Sequence, residues 1–233
     1  MTTSQQLGVL AAIAYFVGAI PFGLLVGRAK GIDPRTAGSG NIGATNVGRL
    51  LGRKYFALVF TLDLLKGYVP MAVASALVWH LPPERKPYLL WMLVGAAAVL
   101  GHLYPIYLKF KGGKGVATSG GLLLGLFPYL TIPGVGCILT FLAVFKATRT
   151  VSLSSIVAAL AFTPIYIAAG LAMGWPIFRE QLPLVVFSVL LSGMVIYKHK
   201  SNIRRLLAGT EHSFKRDKEE EEASSGPSPS GGI

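Results

Sequence analysis

Residues 7–26 read LGVLAAIAYFVGAIPFGLLV, an uninterrupted run of 20 residues without a charge. A helix of that length crosses the ~30 Å hydrocarbon core of a bilayer. No Lys or Arg precedes the run, whereas Arg28 and Lys30 follow it. A signal peptide would have a basic start and a shorter apolar core. We therefore interpret this segment as a retained first span with its N-terminus outside.

The composition of the whole chain also predicts a membrane protein. Of 233 residues, 52% are hydrophobic and 14% are charged, against about 25% charged in soluble domains; the mean hydropathy is +0.57. The net charge of +12 could suggest nucleic acid, but Lys and Arg between apolar runs are typical of cytoplasmic membrane loops. We therefore predict no nucleic-acid partner. The single cysteine excludes a disulfide scaffold and multi-cysteine metal sites.

Six further apolar runs predict six further spans. They cover residues 55–78, 88–108, 116–130, 133–145, 152–171 and 182–197. The runs 116–130 and 133–145 are short, but basic clusters both precede and follow the pair. If both clusters face the cytoplasm, the number of crossings between them is even, so we predict a tilted hairpin turning near 128–134. The fold class is then an all-α bundle of seven transmembrane helices, N-terminus outside and C-terminus cytoplasmic.

The distribution of charge supports this orientation and limits the domain. Eighteen Lys and Arg residues fall on the cytoplasmic side and three outside: Arg85, Lys86 and Arg179. Residues 1–214 are interpreted as one membrane domain. The remainder, 215–233, reads KRDKEEEEASSGPSPSGGI, a composition that cannot bury a core. This segment is predicted to be a disordered cytoplasmic tail.

The first polar cluster, GSGNIGATNVGRLLGR, covers residues 38–53. Its glycines, amides and small hydroxyls can turn toward an anion, and a guanidinium can add a bidentate contact. The alternative is a flexible loop that ends in a helix cap. The candidate site residues here are Ser39, Gly40, Asn41, Thr45, Asn46 and Arg49.

The second polar cluster, GHLYPIYLKFKGGKGVATSGG, covers residues 101–121. A turn of Gly112, Gly113, Lys114 and Gly115 opens directly into an apolar helix, so free amides at the helix N-terminus and the lysine would face one point, as in a phosphate cradle. It is not a Walker A loop, because Leu108 stands where the first glycine is required. A simple positive-inside loop is the alternative.

Polar residues within and after the later spans add further candidates. Asp63 and Lys66 are close enough to pair inside the second span, either for function or to orient helices. Serines open the sixth span, for packing or, at Ser154, for substrate. After the last span comes KHKSNIRRLLAGTEHSF, residues 198–214. On a continuing helix His199 and Asn202 share a face; the alternative is a basic segment on anionic lipid.

Together the three clusters resemble one family, the bacterial acyl-phosphate:glycerol-3-phosphate acyltransferases, or PlsY family. SGNIGATN with Arg49, GHLYPIYLKFKGGKGVA and HKSNIRRLLAGTE match its three signatures in order, and the resemblance covers about residues 7–212. It implies a seven-span enzyme of the bacterial inner membrane with a cytoplasmic active site. The implied reaction transfers an acyl chain from acyl phosphate to the 1-hydroxyl of glycerol 3-phosphate, giving lysophosphatidic acid and phosphate. The acidic tail is a departure from the family pattern.

The resemblance also implies roles for particular residues. It makes Ser39 and Arg49 necessary for activity, places glycerol phosphate on the loop 112–115 with Lys114, and gives His199 and Asn202 roles in catalysis and binding. It implies a structural role for Glu211. No cofactor or metal is expected, and the expected partners are the two substrates and membrane lipid, with the protein a monomer.

The chemistry of the residues predicts a direct transfer. No Ser-His-Asp series, cysteine nucleophile or metal cluster is evident in the sequence, and acyl phosphate is already activated, so positioning and electrostatics are expected to dominate. His212 and Asp217 have the spacing of another acyltransferase class, one that is typically fed by acyl-CoA, but they lie at the edge of the tail. A transporter would place its polar site near the bilayer midplane, often with repeats. A membrane scaffold would leave the first two clusters unexplained.

Overall fold

The computed structural model describes residues 1–82 and 85–213, and the regular structure of these ranges is helical throughout. The tail predicted at 215–233, with Asp217, lies outside the described residues. A short 3₁₀ helix, Ile106–Leu108, precedes the second polar loop. The α-helices are α1 Thr3–Ala19, α2 Phe22–Ala29, α3 Ala44–Leu51, α4 Arg53–Val78, α5 Tyr88–Leu103, α6 Val116–Gly125, α7 Thr131–Thr148, α8 Val151–Ala172, α9 Leu182–Lys198 and α10 Lys200–Leu207.

Five helical segments in the described part of the chain are long and apolar enough to cross a membrane. The bent pair α9 and α10 makes a sixth if it counts as one span. The remaining predicted run corresponds to α6, which has 10 residues. The five segments are Thr3–Ala29, Arg53–Val78, Tyr88–Leu108, Thr131–Thr148 and Val151–Ala172.

The first predicted span is broken rather than continuous. The backbone of Ile20 is extended, with φ −60° and ψ 117°, and α2 begins after Pro21. Proline lacks an N–H and disfavours the helical conformation of the residue before it. The break therefore follows from the Ile20–Pro21 dipeptide, and it leaves the Ile20 carbonyl inside the protein.

The predicted hairpin corresponds to α6 and α7, joined through residues 126–130. At 1.5 Å per residue, α6 extends only ~15 Å, about half of the hydrocarbon core. The observed turn therefore lies at 126–130, slightly earlier than the turn predicted near 128–134, and helix α7 begins at Thr131. Pro133 lies in the first turn of α7, where its missing N–H breaks no helical hydrogen bond.

Helix α6 packs against α4 with backbone in contact with backbone. A Cβ at Gly67 would overlap the carbonyl of Thr118, and one at Gly121 would overlap that of Leu64. Small residues allow such close approach between membrane helices. The contact seats the first turn of α6 against the middle of α4. The same device joins α1 to α5 at Gly18 and Gly101.

Helices α9 and α10 meet at an angle of 59°. His199 ends the first helix and precedes the second, with φ −95° and ψ 8°. The expectation of one continuing helix through His199 and Asn202 is therefore wrong. The bend nevertheless buries both side chains, which are 2% and 3% exposed.

Candidate active site

The first polar loop is organised around the side chain of Asn46, at the start of α3. Its Oδ1 accepts the amide of Ser39 at 2.8 Å. Its Nδ2 donates to the carbonyls of Pro34, Ala37 and Asn41 at 2.9–3.1 Å. The buried Asn46 therefore uses its hydrogen-bonding groups to shape the loop, and it leaves Ser39 on the surface.

Two glycines of this loop have a backbone that favours glycine. Gly38 and Gly40 have φ of 59° and 70°, and a Cβ at Gly38 would overlap Asn46 Oδ1. Left-handed backbone costs a glycine little. Asn41 accepts the Gly43 amide at 2.8 Å. Thr45 and Arg49 lie in α3, partly exposed.

The second polar loop turns sharply before α6. The amides of Gly112 and Gly113 donate to the carbonyls of Leu103 and His102 at 3.2 and 3.1 Å. These two amides are therefore committed to the end of α5 rather than to a phosphate. Gly115 precedes α6 with φ 81°. The first turn of α6 keeps its N–H groups free of intrahelical partners, so these amides and Lys114 form the candidate cradle.

The third polar segment closes over Lys114 through a chain of side-chain hydrogen bonds. Lys114 Nζ donates to Asn202 Oδ1 at 2.6 Å, and Asn202 Nδ2 donates to Glu211 Oε1 at 2.6 Å. Ser152, in α8, donates to the same oxygen at 2.8 Å. Arg205 Nε donates to Glu211 Oε2 at 2.7 Å. These hydrogen bonds join the loop before α6 to α8 and α10 at one end of the bundle.

The surroundings of Lys114 lower the pKa of its ammonium group. Burial lowers the pKa of its ammonium to about 8 from the usual 10.5, and although the Glu211 carboxylate opposes this shift, the guanidinium groups of Arg205 and Arg49 add to it. Arg49 therefore lies near enough to act on Lys114, which brings the first polar cluster to the other two. Together these cations give the site a strong preference for anions.

Glu211 remains a carboxylate in this environment. Burial raises its pKa, but hydrogen bonds from Asn202, Ser152 and Arg205 outweigh burial, so the net pKa is below the usual 4.5. The segment after α10 is thus fixed to α8 by a charged residue that is 8% exposed.

His199 is buried beside this network. Its Nδ1 lies 2.7 Å from the carbonyl of Val195; because a carbonyl only accepts, Nδ1 carries the proton and Nε2 is free to accept. Burial, opposed by the Val195 hydrogen bond and the Glu211 charge and aided by the Lys114 charge, lowers the pKa of His199 to about 4. The imidazole is therefore neutral at physiological pH.

Other predicted residues lie apart from Lys114. Ser154 is fully buried and donates to the Thr150 carbonyl of its own helix at 2.8 Å, while its neighbour Ser152 reaches Glu211. Asp63 and Lys66 form the predicted ion pair, with 2.8 Å between Oδ1 and Nζ, inside the bundle. His212 is exposed.

Three residues in contact with the site were not predicted to be site residues: His102, Arg205 and Ser152, which bonds to Glu211. The chain separates Ser152 from Glu211 by 59 residues, so no local spacing reports their contact. His102 lies in the quoted second cluster, and a histidine in an apolar helix before a glycine turn is the signal that could have found it. In the described residues no group of three His, Cys, Asp or Glu could hold a metal ion.

Comparison with known proteins places this chain in a family. A family model for glycerol-3-phosphate acyltransferase matches residues 8–209. The glycerol-3-phosphate acyltransferase of Geobacter sulfurreducens is 46% identical over 209 residues, covering 89% of this chain and 97% of that protein. The one from Aquifex aeolicus is 40% identical over 208 residues, covering 88% and 97%.

The fold is similar to crystal structures of PlsY, an integral membrane glycerol 3-phosphate acyltransferase. The glycerol 3-phosphate form has a TM-score of 0.77 and covers 90% of this chain and 96% of its own. The lysophosphatidic acid form has a TM-score of 0.75 with 90% and 95% coverage. Both are 38% identical to this sequence. The chain therefore belongs to the PlsY family of membrane-embedded glycerol-3-phosphate acyltransferases.

Proposed function

We propose that this protein transfers an acyl chain from acyl phosphate to the 1-hydroxyl of glycerol 3-phosphate, giving lysophosphatidic acid and phosphate. Its relatives carry the name glycerol-3-phosphate acyltransferase, and PlsY has a glycerol 3-phosphate form and a lysophosphatidic acid form. The observation that carries the proposal is the ammonium of Lys114, held by Asn202 near two guanidinium groups and at the N-terminus of α6. Such a concentration of donors and positive charge suits phosphate-bearing substrates.

Glycerol 3-phosphate is assigned to the α6 cradle. Its phosphate lies between Lys114 and the first-turn amides of α6, with Gly115 providing the left-handed turn that aims them. Gly112 and Gly113 contribute through packing, since their amides bond to α5. Asn202 positions the ammonium, and Glu211 positions Asn202, which gives Glu211 the structural role that the resemblance implied.

The first polar loop is assigned to the donor phosphate. Arg49 provides the guanidinium, and Ser39 and Gly40 lie exposed at the loop surface with Asn41 and Thr45 beside them. Asn46 positions this loop through its four hydrogen bonds. Ser154 is assigned no substrate contact, because its buried hydroxyl donates to the Thr150 carbonyl of its own helix.

The chemical step is proposed to be a single displacement. The hydroxyl oxygen of glycerol 3-phosphate forms the new bond to the acyl carbonyl carbon, the bond from that carbon to the phosphate oxygen breaks, and phosphate leaves with the electron pair. The neutral His199 accepts a hydrogen bond from the hydroxyl at Nε2 and orients it. A pKa of about 4 makes this imidazole a weak base, so the hydroxyl proton passes on to the departing phosphate. Electrostatic positioning supplies the main rate gain.

The donor is proposed to be acyl phosphate and not acyl-CoA, and no acyl-enzyme forms. Acyl phosphate needs only a second anion site, which the first polar loop offers. Cys137 is 8% exposed in α7, and Ser39 lies at a loop surface, so neither has the environment of an activated nucleophile. The reaction is expected to need no metal or cofactor.

The protein is proposed to be a seven-span monomer of the bacterial cytoplasmic membrane with its site on the cytoplasmic side. The division of 18 basic residues against three supports that orientation. The three polar clusters lie at the ends of helices α2, α5, α6 and α9, which supports an enzyme at one membrane face over a transporter with a midplane site.

The test is an assay of the purified protein with glycerol 3-phosphate and acyl phosphate, with acyl-CoA as the control donor. We expect turnover with acyl phosphate only, competitive inhibition by orthophosphate and no effect of EDTA. Incubation with acyl phosphate alone should leave the mass of the protein unchanged. Efficient turnover with acyl-CoA, or a covalent acyl adduct in the absence of acceptor, would overturn the proposed mechanism.

A further inference from the structure

Three polar side chains lie in the bundle directly beneath the two glycine-rich loops. Asp63 and Lys66 of α4 are each 3% exposed, and His102 of α5 is 6% exposed. Asp63 Oδ1 lies 2.8 Å from Lys66 Nζ and 3.6 Å from His102 Nδ1. The space between them has no room for a water molecule. Charges inside a membrane protein are costly and usually functional, yet the proposed chemical step uses none of the three.

The lysine of this cluster holds the break between α1 and α2. Lys66 Nζ donates to the carbonyl of Ile20 at 3.0 Å, and the same carbonyl accepts the amide of Phe22 at 3.1 Å across the break. Helix α2 in turn supports the first polar loop, since a Cβ at Gly23 would overlap the carbonyl of Ile42. Lys66 is therefore connected to the loop that contains Ser39 through the Ile20 carbonyl and helix α2.

The histidine of this cluster supports the second polar loop. Its carbonyl accepts the amide of Gly113 at 3.1 Å. Its imidazole lies directly beneath the same glycine, because a Cβ at Gly113 would come within 3 Å of His102 Nε2. Gly113 precedes Lys114, so the ring determines how closely the loop backbone, from which the Lys114 side chain extends, can approach α5. Asp63 Oδ1 lies 3.6 Å from Nδ1 at the other edge of the ring, in electrostatic contact but beyond hydrogen-bond distance.

We propose that Asp63, Lys66 and His102 are positioning residues that fix the first and second polar loops relative to each other. His102 acts by filling the space under Gly113, so this position requires glycine because of the ring and not because of the substrate. The proposal rests on the proposed binding of glycerol 3-phosphate by Lys114. It predicts that the requirement for glycine at 113 disappears when the ring is removed.

A double-mutant cycle tests this directly in the full-length protein. Gly113→Ala should raise KM for glycerol 3-phosphate about tenfold or more, with kcat changed less, because a displaced Lys114 weakens acceptor binding. His102→Ala should raise this KM by only about threefold, since the backbone keeps its hydrogen bonds. In the double variant, KM should return to within about threefold of His102→Ala, a strongly non-additive result.

Every outcome of the cycle decides the proposal. A double variant whose KM is the product of the two single effects would overturn it, because Gly113 would then be required by the substrate. If Gly113→Ala fails to fold, recovery of monodisperse, active protein in the double variant is the same rescue. Failure of the double variant to fold would also count against the proposal.

A matched control separates positioning from general stability. Gln181 is 1% exposed and accepts a hydrogen bond from Tyr166, and it lies at the other end of α9, ~26 Å from the site at 1.5 Å per residue. Gln181→Met should lower Tm without changing KM for glycerol 3-phosphate. If the wild-type protein fails to use glycerol 3-phosphate, the proposed function falls; if it turns over and rescue is absent, only this inference falls.

Discussion

The ammonium of Lys114 gives the site a pH dependence that can be measured. Its pKa of about 8 reflects mainly burial, which the Glu211 carboxylate opposes and the nearby guanidinium groups reinforce. A phosphate monoester has a second pKa of about 6, so near pH 7, between this value and the pKa of Lys114, both partners carry most of their charge. Above pH 8 the free enzyme loses the ammonium. We expect kcat/KM for glycerol 3-phosphate to fall by up to about tenfold per pH unit above this point.

The matched variant for this prediction is Lys114→Arg, because an arginine stays charged throughout the range. Its kcat/KM should be lower at neutral pH but should show no decline centred near pH 8. Acyl phosphate hydrolysis without enzyme is subtracted at each pH. The same decline in Lys114→Arg would assign the titration to another group.

Glu211 should contribute to stability through its charge. Its pKa is depressed in the folded protein, so the stabilisation is present above the ordinary carboxyl pKa and is lost as the pH falls through the folded value. Glu211→Gln keeps the shape but turns a donor toward Arg205, and losing charge-assisted hydrogen bonds costs about 2 kcal/mol. We expect a lower Tm in detergent at pH 7, measured by intrinsic fluorescence. Glu180→Gln, at an exposed position, serves as the control, and equal Tm values for the two variants would contradict the prediction.

At single positions, the chemical type of the site residues could be predicted from the sequence more accurately than the contacts that they make. Lys114, Asn202 and Arg49 were predicted from residue type and motif, and the structure brings them into one electrostatic neighbourhood. Gly112 and Gly113 were predicted to bind substrate, whereas their amides are used by α5. That difference depends on how the chain after Leu103 turns back to the end of α5, which residue type and spacing do not encode.

The contact between α4 and α6 makes a prediction at the level of elements. Gly121→Ala should destabilise the protein by about 2 kcal/mol, because the new methyl group meets the Leu64 carbonyl of α4. A methyl group on its neighbour Gly120 would meet no atom within 4 Å, so Gly120→Ala should be neutral or stabilising by about 0.5–1 kcal/mol. Thermal unfolding of the two variants in the same detergent measures the difference, and equal losses would contradict close backbone packing.

Helix breaks were the part of the fold that hydropathy alone could not predict. The run 7–26 is apolar across the break at Ile20 and Pro21, and a hydropathy window averages over one dipeptide. Similarly, Lys198 and Lys200 flank the bend at His199 without a proline or glycine to mark it. The burial of Asn202 depends on tertiary contacts, because its side chain donates to Glu211, which also accepts a hydrogen bond from Ser152 of α8. The apolar segments themselves were predicted because a bilayer requires long uncharged runs.

For the whole molecule, topology is the prediction that remains to be measured. Charge predicts seven crossings, whereas length and composition give five or six spans within residues 1–82 and 85–213, together with the short helix α6. The difference depends on whether α6 and α7 cross as a hairpin. Single-cysteine variants can decide this once Cys137, the only cysteine of the sequence, is replaced by alanine. The informative sites are Thr3→Cys, Lys109→Cys, Lys146→Cys and Ser225→Cys.

These variants are treated in intact cells and in opened membranes with a maleimide that does not cross bilayers. Thr3→Cys should react in intact cells, because no basic residue precedes the first span. The other three should react only after the membrane is opened. Lys109→Cys and Lys146→Cys must behave alike if α6 and α7 return the chain to the same face. Opposite behaviour of this pair would show that one of these two helices does not cross the membrane. Reaction of Thr3→Cys and Ser225→Cys from the same side would require an even number of spans.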